Sequence, residues 1–286
     1  MSGRTLTFTV LAMLAFAANS LLCRLALGLH LIDAASFTTI RAVSGALALA
    51  AISQTQTGFS LRNVIRGNPV TPMMLFAYMI CFSFAYLSLS AGTGALILFG
   101  SVQLTMFIWA LREGEGFSSV SWIGLGLAIV GLVYLVLPGV TAPDPFGAVL
   151  MGMAGVAWGV YSLKGRGLDP LQATTRNFCL AAVLALLTNL IFWHGVHSTP
   201  NGVALAVMSG AIASGCGYVI WYGALRGLTA SRAATVQLSV PAIAAIGGAV
   251  ILSEAISVRL VVATVAILGG IGIVLAQRAV HSELRR

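Results

Sequence analysis

A chain of 286 residues that is 59% hydrophobic and 8% charged carries far less charge than the roughly 25% of an ordinary soluble domain. With a mean hydropathy of +1.00 it lacks the polar surface to cover a water-soluble sphere, which excludes a soluble globular enzyme; disorder, collagen and coiled coil fail on the same composition. The net charge of +8 does not mark a nucleic-acid surface, because the fifteen basic residues stand singly or in pairs at the ends of apolar runs, where they act as topology markers.

Apolar runs nearly free of charge occur at about 6–29, 34–52, 70–90, 92–111 and 119–137. The first lacks a small-residue cleavage site before a polar start, so it reads as a span rather than a signal peptide. After the Pro138-Gly139 break, five more runs follow near 146–164, 172–193, 203–225, 229–252 and 258–277. One span takes about 20 residues, so ten take roughly 200 and leave roughly 86 for loops and tails, too few for an extramembrane domain. Cys23, Cys81, Cys179 and Cys216 each lie inside an apolar run without C-x-x-C spacing, so neither a disulfide framework nor a metal cluster is expected, and no cofactor.

Ten spans put both tails on one side. Arg4, Arg62, Arg66, Arg112, Lys164, Arg166, Arg226, Arg232, Arg278, Arg285 and Arg286 fall on that side, eleven of the fifteen basic residues, which predicts cytoplasmic termini.

The two halves resemble each other. A shift of about 139 residues lays Glu115 on Glu254, Ser118 on Ser257 and Gly131 on Gly270, and brings Ala85, Ala91 and Ala95 onto Ala224, Ala230 and Ala234. A shift of 140 pairs Met13 with Met153 and Arg24 with Lys164. Two five-span units are implied, residues 1–139 and 140–286, and because five is odd the second enters the membrane upside down. The expected fold class is therefore an all-α integral membrane protein of ten transmembrane helices in two inverted five-helix repeats. That layout places a substrate site near the midplane between the halves and makes a transporter the leading reading.

Two five-span halves, a basic residue ending spans one and six (Arg24, Lys164) and an acidic residue after spans four and nine (Glu115, Glu254) resemble the EamA-type drug/metabolite transporter superfamily over nearly the whole chain. Within it the sequence is most similar to the bacterial YddG-type exporters of aromatic and other neutral amino acids. The resemblance implies a multi-pass inner-membrane protein with a central cavity, a small amino acid and the lipid bilayer as partners, and neither nucleic acid nor an obligate protein partner. Family members often carry proline midway along both spans four and nine; here Ser239-Val240-Pro241 is matched by Ser101-Val102-Gln103.

Tyr78, Phe82 and Tyr86 recur every fourth residue on span three, and Ser214, Tyr218 and Tyr222 do so on span eight, so each set makes one helix face. Such faces serve packing or line a cavity; phenol and phenyl rings suit a cavity that holds large neutral side chains loosely. Asn19 and Trp158 occupy nearly equivalent positions in spans one and six, and Gln103 and Gln237 place amides in mid-membrane, where they must bond another helix or a substrate. The candidate substrate-binding set is Asn19, Tyr78, Phe82, Gln103, Trp158, Tyr218 and Tyr222. Pro241 removes a backbone donor inside span nine, which permits a bend and makes it the candidate gate. Arg24, Arg41, Lys164 and Arg176 lie within or near span ends, where snorkelling and ion pairing compete with a role as carboxylate or phosphate anchors; Arg24 and Lys164 are the candidate anchors.

All seven acids, Asp33, Glu113, Glu115, Asp144, Asp169, Glu254 and Glu283, and all four histidines fall in loops, in tails or at span ends. Proton coupling and hydrolytic chemistry both need such groups at depth, so an enzyme is not expected and passive carriage down the substrate gradient is the simplest mechanism. A nucleotide-sugar, lipid or drug carrier of the same superfamily is the rival reading.

Overall fold

The computed structural model describes residues 3–56, 68–114, 116–139, 142–165, 169–191, 195–225, 227–228 and 235–284, with the backbone alone at 225 and 277–284. Glu115, Arg62, Arg66, Arg166, Arg226, Arg232, Arg285, Arg286, Ala230 and Ala234 lie outside the described residues. The regular elements are helical: α1 (Gly3–Gly28), α2 (Ala34–Gln56), α3 (Val70–Ala85), α4 (Ala91–Arg112), α5 (Ser119–Val136), α6 (Pro145–Lys164), α7 (Pro170–Ile191), α8, α9 (Ser239–Ile251) and α10 (Val258–Leu284). Helix α8 runs in three consecutive pieces, α-helical at Pro200–Val207, π-helical at Met208–Cys216 and α-helical again at Gly217–Leu225. Among the described residues eight helices are long and apolar enough to cross a membrane, and α3 and α9 are shorter apolar helices.

Helix starts follow the local sequence. Ser90, Ser118 and Thr199 cap α4, α5 and α8 by accepting from Thr93, Ser121 and Gly202 backbone N–H groups. Three acids are used the same way: Asp33 accepts from Ser36 N–H at 2.8 Å, Asp169 from Gln172 N–H at 2.8 Å and Asp144 from Gly147 N–H at 2.6 Å. Proline at the first position of α6 and of α8 supplies the preset φ.

Three spans differ from expectation. Helix α3 stops at Ala85 rather than near residue 90, because the carbonyls of Tyr86 and Leu87 accept from Arg24 Nη1, at 3.1 and 3.3 Å, instead of continuing the helix. The helical pattern of α9 is interrupted at Leu238, whose N–H bonds back to Thr235 O at 3.1 Å; Pro241, one turn on, has no N–H to offer the Gln237 carbonyl. Helix α10 continues past 277 to Leu284.

The packing is reciprocal between the first and last five helices. Helix α2 lies on α7, α4 on α9 and α5 on α10. Helix α3 packs on α6 as α8 packs on α1, α4 on α6 as α9 on α1, and α2 on α8 as α7 on α3. Small residues set the closest approaches: a Cβ at Gly124 of α5 would fall 2.6 Å from the Gly270 carbonyl of α10, and one at Gly155 of α6 would fall 2.5 Å from Ser101 Cβ of α4. Hydroxyls bond across other helix contacts, Thr38 of α2 to Ser83 of α3 at 2.8 Å, Thr39 of α2 to Ala185 O of α7 at 2.9 Å and Thr71 of α3 to Asn177 of α7 at 3.0 Å.

Gly124→Ala should therefore separate α5 from α10 at a cost of about 1–3 kcal/mol, typical of overpacking. Gly126→Ala, on the same helix with nothing within 4 Å of the added carbon, should be silent. Thermal unfolding of the detergent-purified variants followed by size exclusion checks the pair.

Candidate functional site

Trp158, buried on α6, is the hub of a ring cluster. Its indole lies 5.0 Å from the Tyr78 ring, 4.9 Å from Tyr218, 5.3 Å from Tyr161 and 6.2 Å from Phe16. Phe16 of α1 also meets Tyr218 at 5.9 Å and Trp221 at 5.8 Å, and Phe178 of α7 meets Tyr218 at 5.7 Å. On α3 the four-residue spacing stacks Tyr78 on Phe82 at 5.2 Å and Phe82 on Tyr86 at 4.7 Å. The aromatic faces of α3 and α8 thus converge on one indole.

A buried cation borders these rings. Arg41 is fully buried, two turns into α2, about 10 Å along the helix from its start. Its Nε donates to Ser214 Oγ at 3.2 Å and its Nη2 to Tyr78 Oη at 3.2 Å. The guanidinium carbon stands 5.2 Å from the Tyr78 ring centre and 5.0 Å from that of Phe82, within cation–π range. Tyr78 Oη also accepts from Asn19 Nδ2 at 3.3 Å, and Asn19 Oδ1 accepts from Ser209 Oγ at 2.6 Å. One hydrogen-bonded chain therefore runs Ser209, Asn19, Tyr78, Arg41, Ser214, leaving α8 and returning to it through α1, α3 and α2.

Both ends of that chain lie on the π-helical segment of α8. The wider turn re-aims Ser209 and Ser214, and its small residues admit α2 closely: a Cβ at Gly210 would strike the Arg41 carbonyl and Ser44 Oγ. Arg41 Nη1 and Tyr218 Oη, both buried, have no hydrogen-bond partner among the described residues.

Of the residues expected in the site, Asn19, Tyr78, Phe82, Trp158 and Tyr218 come together here. Tyr222 lies further along α8, beside Tyr161 and close to Gly165. Gln103 is buried on α4, its Nε2 without a hydrogen-bond partner among the described residues, and it makes none of the bonds of the chain above. Lys164 is exposed at the end of α6, with Nζ 4.9 Å from the Trp109 ring centre. Sequence reasoning passed over Phe16, Phe178, Ser209 and Trp221, placed Ser214 on the span-eight face without a role in binding, and left Arg41 among residues near span ends. The signal for Arg41 was present: a charge two turns inside an apolar run, with no acid within four residues on either side.

Arg24 has a different setting, at the end of the molecule opposite the termini. Its Nε donates to Glu254 Oε1 at 2.9 Å, and Glu254 Oε2 accepts from the Ala91 N–H at 2.8 Å. Ser253, in the left-handed region at φ 54°, folds the chain back so that Glu254 N–H reaches the Gly248 carbonyl at 3.1 Å. The carboxylate then lies over Gly248, where a Cβ would stand 2.6 Å from Oε2. The same end is tied at two more places. Asp33 N–H donates to His197 O at 2.8 Å beside the Ile32–Ser198 bridge, and Ser88 Oγ donates to Asp144 Oδ2 at 2.9 Å.

Among the described residues, no trio of His, Cys, Asp or Glu is placed to hold a metal. Fold and site together define a multi-pass helical membrane protein with a polar, ring-lined centre and one end tied shut. The EamA-like transporter family matches residues 145–276. An uncharacterised protein of Pseudomonas aeruginosa is 49% identical over 284 residues, 96% of each chain. An uncharacterised transporter of Archaeoglobus fulgidus is 28% identical over 59% of this chain and 61% of its own. The uncharacterised transporter YoaV of Bacillus subtilis is 21% identical over 70% and 71%. A crystal structure at 20% identity superposes with a TM-score of 0.67 over 97% of this chain and 99% of the other, a likeness of fold. The likeness to the EamA-like transporter family covers residues 145–276, and that match and the relatives named as transporters point to a transporter rather than an enzyme.

Loosening the Arg24–Glu254 clasp should open the end it closes. Cys23, adjacent to Arg24 and fully buried, reports on it. With Cys81, Cys179 and Cys216 replaced by serine, maleimide labelling of Cys23 should rise severalfold on Glu254→Gln and on Gly248→Ala. Unchanged labelling in both would show that the clasp does not hold that end.

Proposed function

We propose that this protein exports aromatic and other neutral amino acids across the bacterial inner membrane, with both termini cytoplasmic, by facilitated diffusion with alternating access. The observation that carries the reading is the convergence of two aromatic faces on Trp158 beside a hydrogen-bonded polar chain. A substrate ring enters such a cluster by replacing ring–ring contacts with equivalent ones, and the polar chain serves the amino acid backbone. Residues 1–139 and 140–286 act as two inverted halves, a reading supported by the reciprocal packing. The substrate sits where α1, α3, α6 and α8 meet, and alternation rocks one half against the other. Pro241 and the Leu238 break supply a bend in α9, the helix whose end bears the Glu254 clasp.

Passive carriage fits the placement of titratable groups. Among the described residues the carboxylates of Asp33, Glu113, Asp144, Asp169 and Glu254 are exposed or half-buried at helix ends and loops, and the lone lysine is exposed. No carboxylate of that set stands at the ring cluster to exchange a proton during the cycle.

Proteoliposomes loaded with labelled phenylalanine, threonine, a quaternary ammonium compound or a sugar nucleotide test the cargo. Phenylalanine and threonine should leave and the sugar nucleotide should not; flux of the last alone would hand the case to the rival carrier reading. Trp158→Ala should cut phenylalanine flux at least tenfold with the folded yield unchanged. An imposed pH gradient should not drive accumulation, and accumulation would show coupling. In intact cells a cysteine at 142 should label from outside and one at 62 should not.

A further inference from the structure

Resting on that reading and sharpening it, we propose that Arg41 is the carboxylate anchor of the carrier, with Tyr218 Oη as the second donor to the same carboxylate, so that cargo must be an organic carboxylate with an adjoining apolar group. Arg41 is fully buried, and the ionisable groups that face it are Tyr78, Tyr218 and Cys23, none of them a carboxylate. The ion pair among the described residues, Arg24 with Glu254, is spent elsewhere. Nε and Nη2 are held by Ser214 and Tyr78, which fixes the guanidinium plane and leaves Nη1 over. The Tyr218 hydroxyl stands beside Arg41 and the Tyr78 hydroxyl, and neither satisfies it with full hydrogen-bond geometry. Two buried donors left over beside one uncompensated positive charge match a carboxylate, which offers two oxygens and one negative charge. The rings of Trp158, Phe16 and Phe178 adjoin Tyr218, so a ligand held by its carboxylate would present its side chain to them. The anchor is supplied by the first half and its partner hydroxyl by the second, so bound carboxylate bridges the two halves.

Three probes separate the charges of the cargo: phenylalanine, 3-phenylpropanoate with the carboxylate alone, and phenethylamine with the ammonium alone. In proteoliposomes, 3-phenylpropanoate should compete with phenylalanine flux and phenethylamine should not. Arg41→Met should lower phenylalanine flux at least tenfold and abolish the distinction between the two analogues, and Arg41→Lys should retain part of both. Tyr218→Phe, which leaves Arg41 in place, should raise KM severalfold at unchanged folded yield. Competition by phenethylamine equal to that by 3-phenylpropanoate would overturn the proposal, as would an unchanged KM in Arg41→Met. If wild-type protein carries no phenylalanine at all, thermal unfolding of the purified protein decides. Stabilisation by 3-phenylpropanoate that is lost in Arg41→Met keeps the anchor and discards the amino acid cargo. Absence of stabilisation by 3-phenylpropanoate, or stabilisation by inorganic phosphate instead, discards the anchor.

Discussion

A buried guanidinium with no facing carboxylate among the described residues is the constraint around which the centre of this protein is built. Even on the mildest scale a charge inside a membrane helix costs about 2.5–3.5 kcal/mol. Arg41 offsets this with two hydrogen bonds of about 1.5–3 kcal/mol each to neutral hydroxyls and with the faces of two rings. Those partners come from α3 and α8, and Asn19 of α1 is tied to the same Tyr78 hydroxyl. Four helices are thereby held in register by one cation. The π-helical turn in α8 is part of the arrangement, since it delivers both Ser209 and Ser214 to the chain of bonds while glycines let α2 lie against it.

Helix packing in lipid has no hydrophobic drive between helices, so shape and polar contact must supply it. Here the balance of the two differs by location. The α5–α10 pair is fitted by glycine against backbone, whereas the central helices add side-chain hydrogen bonds and ring contacts to their glycine approaches at Gly155 and Gly210. Fitted backbones make a stiff unit. A ring cluster exchanges partners at little cost, because a ring that slides off one neighbour meets another of the same kind. The stiff pair at the edge and the exchangeable rings at the centre are the distribution of rigidity that a rocking carrier requires.

Most of the architecture was legible because lipid leaves few choices. Run length and charge placement located the ten helices of the described residues, and the four-residue spacing of Tyr78, Phe82 and Tyr86 named their shared face. Errors clustered where backbone groups bond something other than the next turn. Helix α3 ends early where Arg24, remote in sequence, takes the two carbonyls that follow it, Tyr86 and Leu87, and no local pattern announces that. The π-helix of α8 lies in a stretch of small residues, Ser209-Gly210-Ala211 to Ser214-Gly215-Cys216, that reads equally as close α-helical packing. Pro241 was readable as a break, since its missing donor is local chemistry, though the turn itself falls three residues earlier. Arg24 and Arg41 looked alike in sequence. Only the fold shows that the first meets Glu254 at a tied end and the second meets no acid, so the two exchange the roles that their positions near span ends left open.

The same difference orders events in a carrier cycle. Arg41 is stabilised by groups from both halves of the chain, Tyr78 from one and Ser214 from the other. Any rocking that parts the halves stretches those bonds while the charge remains in a medium of low dielectric, where an unmet donor is most costly. A bound anion changes this balance, because it neutralises the charge and can accept from Nη1 throughout the movement. Occupancy then lowers the barrier between the two end states without favouring either, which is what a passive carrier needs: a ligand with equal affinity for both states shifts no equilibrium, yet it can speed their exchange. The Arg24–Glu254 clasp shares no residue with the bonds around Arg41. In the cycle proposed above it would therefore be a separate latch, opened by the motion that the loaded centre permits.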